Sequence, residues 1–510
     1  MCAGLALGVL PWAVGAEPAS VPYMPDWPAR HRIQLLVDHA GLELPGNHWP
    51  LPRAAVQQAL DRLPELEGTE LAWLAPVTAE LKRELAGTAS RLRLSVRERG
   101  EGLTGFDEDY TPGSSASWRS PEWRGEGALG SWAGRLGLRV DEATSSLNSP
   151  SGAGWGVASG RMLRAEDSAL VCNLGGWNLQ LLSTRHWWGP GWQSSLIAGS
   201  NSPAWQGVGL QRATAQRSEH PLLAWMGPWN LDVVVAKAQD PEVVAAQPVG
   251  YLFAGMRLSL RPARGVELGL SRGLQTAGRG RPGGLSNLVK ALLGRQTNKD
   301  AGDGFHDSSN QIAGFDLRLA CPSHWGSCAF YTQWMGEDSA GRVLPLPYKF
   351  MSQWGLETTL GQGRHRLFVE YSNTNAYSLP WDDKPQFPGY TNGVYLQNYT
   401  QGARWIGSAQ GGGSRVTTLG WMDAEMGLRL RLHAGRIGIS LGAYDPRVGP
   451  PPHGRLRGLS VSRHWTWRAA GLSWRVAPEL SWHHLSDGQD QALNRRRELR
   501  LGLSLTAPLE

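Results

Sequence analysis

The chain has 510 residues and a mass of 55.5 kDa, with 50 basic and 44 acidic residues for a formal charge of +6. Charged residues make up only 18% and the mean hydropathy is −0.33, too apolar for a disordered tail and too polar for a bundle of membrane helices. Sixty-five glycines without a three-residue period exclude collagen, four cysteines exclude a disulfide scaffold, and 25 tryptophans stand against 8 phenylalanines.

Residues Ala3 to Val14 are apolar and end in Val14-Gly15-Ala16 before Glu17. That pattern predicts a secretory signal peptide over residues 1–16. The positive stretch that normally precedes the apolar run is missing, so a translation start upstream of Met1 stays open. No later run reaches about 18 apolar residues, so no spanning helix is expected. An exported, Gly- and Trp-rich chain of this kind is either a soluble β protein or a transmembrane β-barrel.

Up to residue 90 the period is helical. Asp26 is a candidate N-cap with Pro28 behind it, and Ile33, Leu36, Val37 and Ala40 fall on one face, with Gly41 as the stop. A second helix follows Trp49-Pro50-Leu51-Pro52, with Val56, Leu60 and Leu63 in register and Pro64 after them. A third carries Val77, Leu81 and Leu85 between Pro76 and Gly87. Three short helices with narrow apolar faces make a small bundle that must dock on something larger. The division expected is a helical plug over 17–90 and a barrel over 91–510.

From residue 91 the period is two. Leu92, Leu94 and Val96 alternate with Arg and Ser, and Phe315, Leu317 and Leu319 alternate with Asp316 and Arg318. Leu499, Leu501, Leu503 and Leu505 alternate with Arg500, Gly502, Ser504 and Thr506. Met256, Leu258 and Leu260 lead to a turn at Arg261-Pro262-Ala263-Arg264, and Val266, Leu268 and Leu270 return. Leu428, Leu430 and Leu432 alternate with Arg429, Arg431 and His433. The phase then switches to Ile437, Ile439 and Leu441, which predicts a hairpin turning at 434–435.

The polar face separates the two β classes. A soluble sandwich keeps its polar side in water. A membrane barrel turns apolar residues to lipid, polar ones to the lumen, and sets aromatics near both interfaces. Here the non-apolar positions are often Arg, Asp, Glu or Gly, which suits a crowded lumen of paired charges. Trp132, Trp229, Trp474 and Trp482 stand where girdles would. About 420 residues at roughly 23 per strand and its connections predict about 18 antiparallel strands. Residues 261–264 and 434–435 are then periplasmic turns, and 273–309, 374–394 and 403–416 external loops.

Three denser stretches carry more than period. One is Thr184-Arg185-His186-Trp187-Trp188-Gly189-Pro190-Gly191-Trp192-Gln193-Ser194-Ser195-Leu196-Ile197, running on to Asn201-Ser202-Pro203. The others are Tyr331-Thr332-Gln333-Trp334-Met335-Gly336-Glu337-Asp338, with Tyr348 beyond, and Leu367-Phe368-Val369-Glu370-Tyr371-Ser372-Asn373-Thr374. With His31 to Leu36 and Trp49-Pro50-Leu51-Pro52, they resemble the Wzi capsule-assembly family of Gram-negative outer-membrane proteins, from about residue 25 to the end of the chain. The resemblance implies a barrel whose periplasmic end is closed by a helical bundle. It also implies a surface lectin that holds capsular polysaccharide in the outer membrane. Such barrels usually end in an aromatic residue, whereas Ala507-Pro508-Leu509-Glu510 stand last here.

Sugar binding needs flat apolar faces for the C–H side of a pyranose and planar polar groups for its hydroxyls. Trp187, Trp188, Trp192, Asn201, Gln333, Trp334, Glu337, Asp338, Tyr377, Trp381 and Asp382 have that chemistry and are the candidate contacts. Asp383 belongs to the same loop. For the tryptophans the competing reading is girdle or core packing, and for Glu337 and Asp338 it is pairing with luminal arginine. Only six of the 50 basic residues are lysines, and arginine suits planar recognition of carboxylates on an acidic polymer. The expected partners are capsular polysaccharide and membrane lipid. Contact with the export machinery is left open, nucleic acid is not expected, and the chain is read as a monomer.

No catalytic residue, metal or cofactor is expected. Gly269-Leu270-Ser271-Arg272-Gly273 matches the nucleophile-elbow pattern, but it ends a β run instead of opening a helix. His306, His483 and His484 lack metal-ligand spacing. The alternatives that remain are an open porin or oligosaccharide channel, and an outer-membrane hydrolase or acyltransferase. Cys321 and Cys328 flank a short turn and are expected to pair in an exported chain, which leaves Cys172 free.

Overall fold

The computed structural model describes residues 19–87, 90–98, 103–109, 115–145, 160–238, 250–281, 283–292, 309–321, 327–340, 346–379, 382–392, 395, 398–402, 404–438, 453–469, 471–486 and 496–508. The expected signal peptide lies outside them.

Eighteen antiparallel strands close into a barrel. In chain order they are Arg91–Glu98, Ser115–Leu129, Trp132–Ser145, the interrupted Gly160–Arg164 with Ser168–Leu174, Trp177–Thr184 and Trp205–Arg212. Next come Trp229–Lys237, Leu252–Ala263, Val266–Thr276, Ser309–Ala320, Cys328–Ala340 and Leu346–Leu360. The last six are His365–Tyr377, Arg415–Asp423, Leu428–Gly438, the interrupted His453–Arg463 with Trp465–Ala469, Leu472–Ser486 and Arg496–Pro508. Closure pairs the last strand with the first, with Leu503 opposite Val96.

The wall is apolar outside and polar inside. Leu501 is 51% exposed while its neighbour Arg500 is 4% exposed, and Leu499 and Leu503 follow Leu501. Luminal charges pair across the interior. Arg257 and Asp316, both fully buried, meet at 2.7 Å. Arg318 Nη1 reaches Asp38 at 2.7 Å, and Arg366 reaches Glu357 at 2.6 Å. Among the described residues no helix is long and apolar enough to cross a membrane.

Helix α1 (Trp27–Leu35) starts where Asp26 Oδ1 accepts the Ala29 amide at 2.9 Å. It runs on as a π turn over Leu36–Ala40 and stops at Gly41, whose φ of 72° suits glycine. Helices α2 (Arg53–Asp61) and α3 (Ala75–Ala86) follow as expected from the spacing. Their apolar faces build one core, with Ile33, Leu36, Val56, Leu60, Leu81 and Leu85 buried together. The helices sit at the end of the barrel where most of the connections are short. Ala19 bonds Gly130 in the turn after Leu129, and His31 Nε2 bonds Gly363 O at 2.6 Å.

Two expected turns shift. The 261–264 turn is the two-residue turn Arg264-Gly265 between Ala263 and Val266, with Gly265 at φ 78°. There is no turn at 434–435, because Leu428–Gly438 is one continuous strand. The alternation never changes phase there. Ile437 still points inward, but near that rim the interior is apolar, and Ile437 packs with Leu103, Val416, Leu456 and Leu485. The expected external loops 273–309, 374–394 and 403–416 also overrun strand ends, since strands run to Thr276 and Tyr377 and resume at Ser309 and Arg415.

Candidate functional site

Opposite the helices, two connections fold back into the barrel and close it. The inner layer is the segment 185–204. Its Trp187-Trp188 pairs antiparallel with His48-Trp49, so the connection from one end meets the helical plug from the other inside the lumen. Gly189 N donates to Asn47 O at 3.0 Å. The space is tight. A Cβ on Gly189 would lie 2.7 Å from Gln333 Nε2, and one on Gly255 would lie 2.7 Å from the Trp188 ring.

The sequence candidates in this layer are structural partners of one another. Gln333 Nε2 donates to Trp188 O at 2.7 Å, and Gln333 Oε1 accepts from Leu196 N at 2.7 Å. Trp192 Nε1 donates to Glu357 Oε2 at 2.6 Å, and its backbone amide donates to Glu370 Oε2 at 2.9 Å. The Trp192 ring also lies under two guanidiniums, Arg30 at 4.2 Å and Arg366 at 4.7 Å. Asn201 Nδ2 donates to Trp405 O at 3.2 Å.

The second layer is built from the described residues of 387–414, which cover the first. Tyr390 OH donates to Leu196 O at 2.8 Å, Tyr399 OH to Ile197 O at 3.0 Å, and Ser194 Oγ to Ser408 Oγ at 2.8 Å. Glu337 Oε1 accepts the Tyr390 amide at 2.5 Å. A small polar cavity lies between the layers, bordered by Gln193, Ser194, Glu370, Ser372, Ser408 and Gln410, and has room for water but not for a sugar ring.

A third segment fills the side of the lumen. Glu108 accepts from Arg429 at 2.7 Å and from Arg431 at 2.5 Å. Burial works against its charge, but Arg431 and Arg429 outweigh burial and hold Glu108 at about 2.

Trp187, Trp188, Trp192, Asn201, Gln333 and Glu337 are all buried, none more than 4% exposed. They hold the cap together from inside and cannot touch an external polymer in this conformation, which corrects their reading as direct contacts. Trp334 is corrected for a different reason. Strand alternation turns it to the opposite face from Gln333, where it packs with Phe315 at 5.5 Å and Trp354 at 5.4 Å on the outer wall. Tyr377 is buried and its hydroxyl accepts from Arg415. Asp382 is half-buried, and its Oδ2 accepts the Leu379 amide at 2.8 Å. Trp381 and the side chain of Asp338 lie outside the described residues.

Among the described residues near the sequence candidates, the rim beside Tyr377 and Asp382 is partly open to solvent. There Tyr348 OH meets Ser378 Oγ at 3.1 Å. The Lys349 ammonium lies 5.7 Å from the Tyr348 ring and 5.1 Å from the Phe387 ring. Tyr348, Lys349 and Phe387 are half-buried, and Asp383, Lys384 and Gln386 beside them are exposed. The rim therefore offers aromatic faces, a cation, carboxylates and an amide within one patch. The sequence reading noted Tyr348 only as part of a stretch and missed Lys349 and Phe387. No local spacing announces them, because the strand after Leu346 and the segment at Phe387 meet only in the fold. Lys349 sits at φ 62°, a left-handed kink near the start of its strand.

Enzyme-like motifs gain no support from this geometry. Ser271 of the nucleophile-elbow pattern lies inside the strand Val266–Thr276, faces the lumen, and accepts from Arg257 at 2.6 Å. The disulfide Cys321–Cys328 is present with a Cα–Cα distance of 5.2 Å, and Cys172 is free.

A curated protein of Klebsiella pneumoniae, described as an uncharacterized 55.8 kDa protein in the cps region, is 27% identical over 355 residues, 68% of this chain. This chain spans 64% of the length of that relative. A solved structure aligns over 96% of this chain and 100% of its own, with a TM-score of 0.74 at 20% identity. It is Wzi, an outer-membrane protein involved in group 1 capsule assembly in Escherichia coli, described as a carbohydrate-binding β-barrel. Pseudomonas aeruginosa OprD aligns over 83% of this chain and 97% of its own at 13% identity, with a TM-score of 0.44, too low to bear on the reading. The family model for the capsule assembly protein Wzi matches residues 87–436, which take in fourteen of the eighteen strands, most of a fifteenth, and the whole inward-folded cap. With the barrel, its helical plug and this match together, the chain belongs to the Wzi capsule assembly family.

Proposed function

We propose that this protein is a surface lectin that holds capsular polysaccharide on the cell, without covalent chemistry. Its helices face the periplasm and its long connections face outward, since outer-membrane barrels keep short turns inside and long loops outside. The polymer is bound at the rim, where Tyr348 and Phe387 supply stacking faces and Lys349 a charge for acidic sugars. Asp382, Trp381 and Asp338 complete the proposed contact set. Many weak contacts repeated along a polymer give firm attachment without a deep pocket.

The observation that carries this reading is the division of labour among polar aromatic residues. Those inside the cap already have protein partners, while those at the rim are half-open. A repeating polymer needs a surface, and the cavity between the two cap layers is too small for a sugar ring.

Purified protein in detergent is titrated with capsular polymer from its own strain. Lys349→Gln with Phe387→Ala is expected to weaken binding at least ten-fold while the barrel stays folded. Unchanged binding by that variant contradicts the rim assignment, and no binding by the wild type contradicts the lectin reading. The channel alternative predicts steady ion conductance in planar bilayers. A lumen filled from both ends predicts near silence.

A further inference from the structure

Five neighbouring strands, Arg415–Asp423, Leu428–Gly438, His453–Arg463, Leu472–Ser486 and Arg496–Pro508, change character at the end away from the helices. Their alternation keeps its phase while its chemistry inverts. Further down, one outward row is Leu419, Leu432, Leu459, Trp482 and Leu499, each opposite the next. It is open, with Leu419 53% and Leu499 46% exposed. The next outward row is Thr417, Ala434, Arg457, His484 and Arg497, and the one above it is Arg415, Arg436, Arg455 and Ser486. The inward neighbours at this level, Val416, Ile437, Leu456 and Leu485, are buried together. Grease lies inside the wall here and cations outside it.

Arg415, Arg436, Arg457 and Arg497 are exposed. Arg415 donates to the Tyr377 hydroxyl and lies 5.7 Å over that ring. Arg455 has an interaction of its own within the protein, so no ligand is assigned to it. The acids of these strands lie elsewhere. Glu479 meets Arg500 in the lumen at 2.9 Å, Asp423 meets Arg364 at the helix end, and Glu498 stands opposite the inward His483. On the next strand round, Glu98 stands opposite Leu501, four residues down from Arg497.

The connections above carry charge of both signs. Asp382, Asp383, Asp445, Asp487 and Asp490 stand against Lys384, Arg404, Arg447 and Arg495. After the first strand Arg99 stands against Glu101, and Glu108 and Asp109 are bound by luminal arginines. The connections come close to neutrality, so the outward arginines are a surplus on this face.

Aromatic residues mark the level. Tyr371 is exposed opposite Thr417, and Trp482 stacks on His484 at 6.2 Å just where the apolar row ends. Aromatics between an apolar belt and a polar layer mark a membrane interface. Arginines directly above them sit at headgroup depth. Neighbouring strands lie about 4.8 Å apart, so the three steps from Arg436 to Arg497 span about 14 Å, room for more than one phosphate. An acidic polymer would meet the cations and leave the apolar row beneath them unused, whereas a lipid matches both rows at once.

We propose that this face of the barrel binds a phosphorylated glycolipid of the surrounding leaflet. Arg436, Arg457 and Arg497 hold its phosphates, and Leu432, Leu459 and Leu499 lie along its acyl chains. Guanidinium donors on phosphate oxygens give charge-assisted hydrogen bonds, stronger than neutral ones and often bidentate. This binding depends on the outward orientation of the loop end given above and not on polymer binding.

The test is native mass spectrometry of the detergent-purified full chain, titrated with diphosphorylated lipid A, the same lipid dephosphorylated, and phosphatidylglycerol. The diphosphorylated lipid is expected to bind at least ten-fold more tightly than either control. Arg436→Gln/Arg457→Gln/Arg497→Gln is expected to erase that preference and to keep wild-type polymer binding. High salt on the wild type needs no variant, and the preference is expected to shrink steeply with it. Equal binding of all three lipids, or a preference unchanged in the triple variant, overturns the proposal. So does a triple variant that loses polymer while keeping the lipid preference, which would assign these arginines to the polymer. A lipid preference in a protein that binds no capsular polymer leaves the lipid site standing and removes the lectin reading.

Discussion

Arg30, on the first helix, places its guanidinium 4.2 Å from the ring of Trp192, in the segment folded in from the opposite end of the barrel. Its Nη1 and Nη2 also donate to the carbonyls of Gly191 and Pro190, both at 2.8 Å. One buried side chain thus fastens plug to cap. Burial lowers its pKa to about 9, which still leaves it charged at neutral pH. Replacing it by Gln should lower stability by about 3 kcal/mol, because two carbonyls lose charged donors. Unfolding in detergent, followed by near-ultraviolet dichroism, reads the change.

Gln333→Ala should separate packing from binding. It leaves Leu196 N without a partner and takes one of two donors from Trp188 O, which keeps Ser195 Oγ, and should cost about 1–3 kcal/mol. Polymer affinity of the folded fraction should stay within about two-fold of wild type. A large loss of affinity at unchanged stability would move the binding site from the rim into the cap.

His31 supplies a pH dependence. Its Nδ1 accepts from Arg366 Nε at 2.9 Å while its Nε2 bonds Gly363 O, so the ring is held neutral. Burial first, and then the Arg366 charge, bring its pKa down to about 3. The unfolded chain binds the proton near pH 6.5. Between those values the unfolded state holds more protons, so this contribution is complete above about pH 6.5 and shrinks as pH falls towards 3. The loss should reach about 2 kcal/mol at pH 5. Denaturant unfolding of wild type and His31→Gln at pH 5 and pH 7.5 should show a smaller pH difference in the variant.

The disulfide gives a chemical test. Oxidised protein freed of residues 1–16 should show one reactive thiol after denaturation, that of Cys172. Reduction should cost about 2–3 kcal/mol, the amount expected for so short a loop. Three thiols in the unreduced sample would rule the bridge out.

Much of the barrel was readable because alternation is a local signal that lipid and lumen enforce on every strand. Leu499 to Thr506 and Phe315 to Leu319 read directly, and so did the helix ends at Asp26, Gly41, Pro76 and Gly87. Helix α1 shows where that reading stopped. Arg30, His31 and Gln34 are buried along with Ile33, since a polar lumen surrounds the helix and an apolar stripe tells only half of its burial. Ile437 misled for a related reason, because the lumen turns apolar near the rim while the strand continues. The parity that parts Gln333 from Trp334 was legible and should have kept them out of one site. The inward course of 185–204, and the meeting of Lys349 with Phe387, depend on long-range packing that no local pattern encodes.

The most direct test of the account is where the polymer goes in living cells. Cells lacking the protein should make capsular polysaccharide at the normal rate and shed it into the medium. Wild-type protein should restore attachment, and the Lys349→Gln/Phe387→Ala form, present at the same level in the outer membrane, should not. Arrested synthesis in its absence, or full attachment with the rim variant, would contradict a protein that holds finished polymer at that surface.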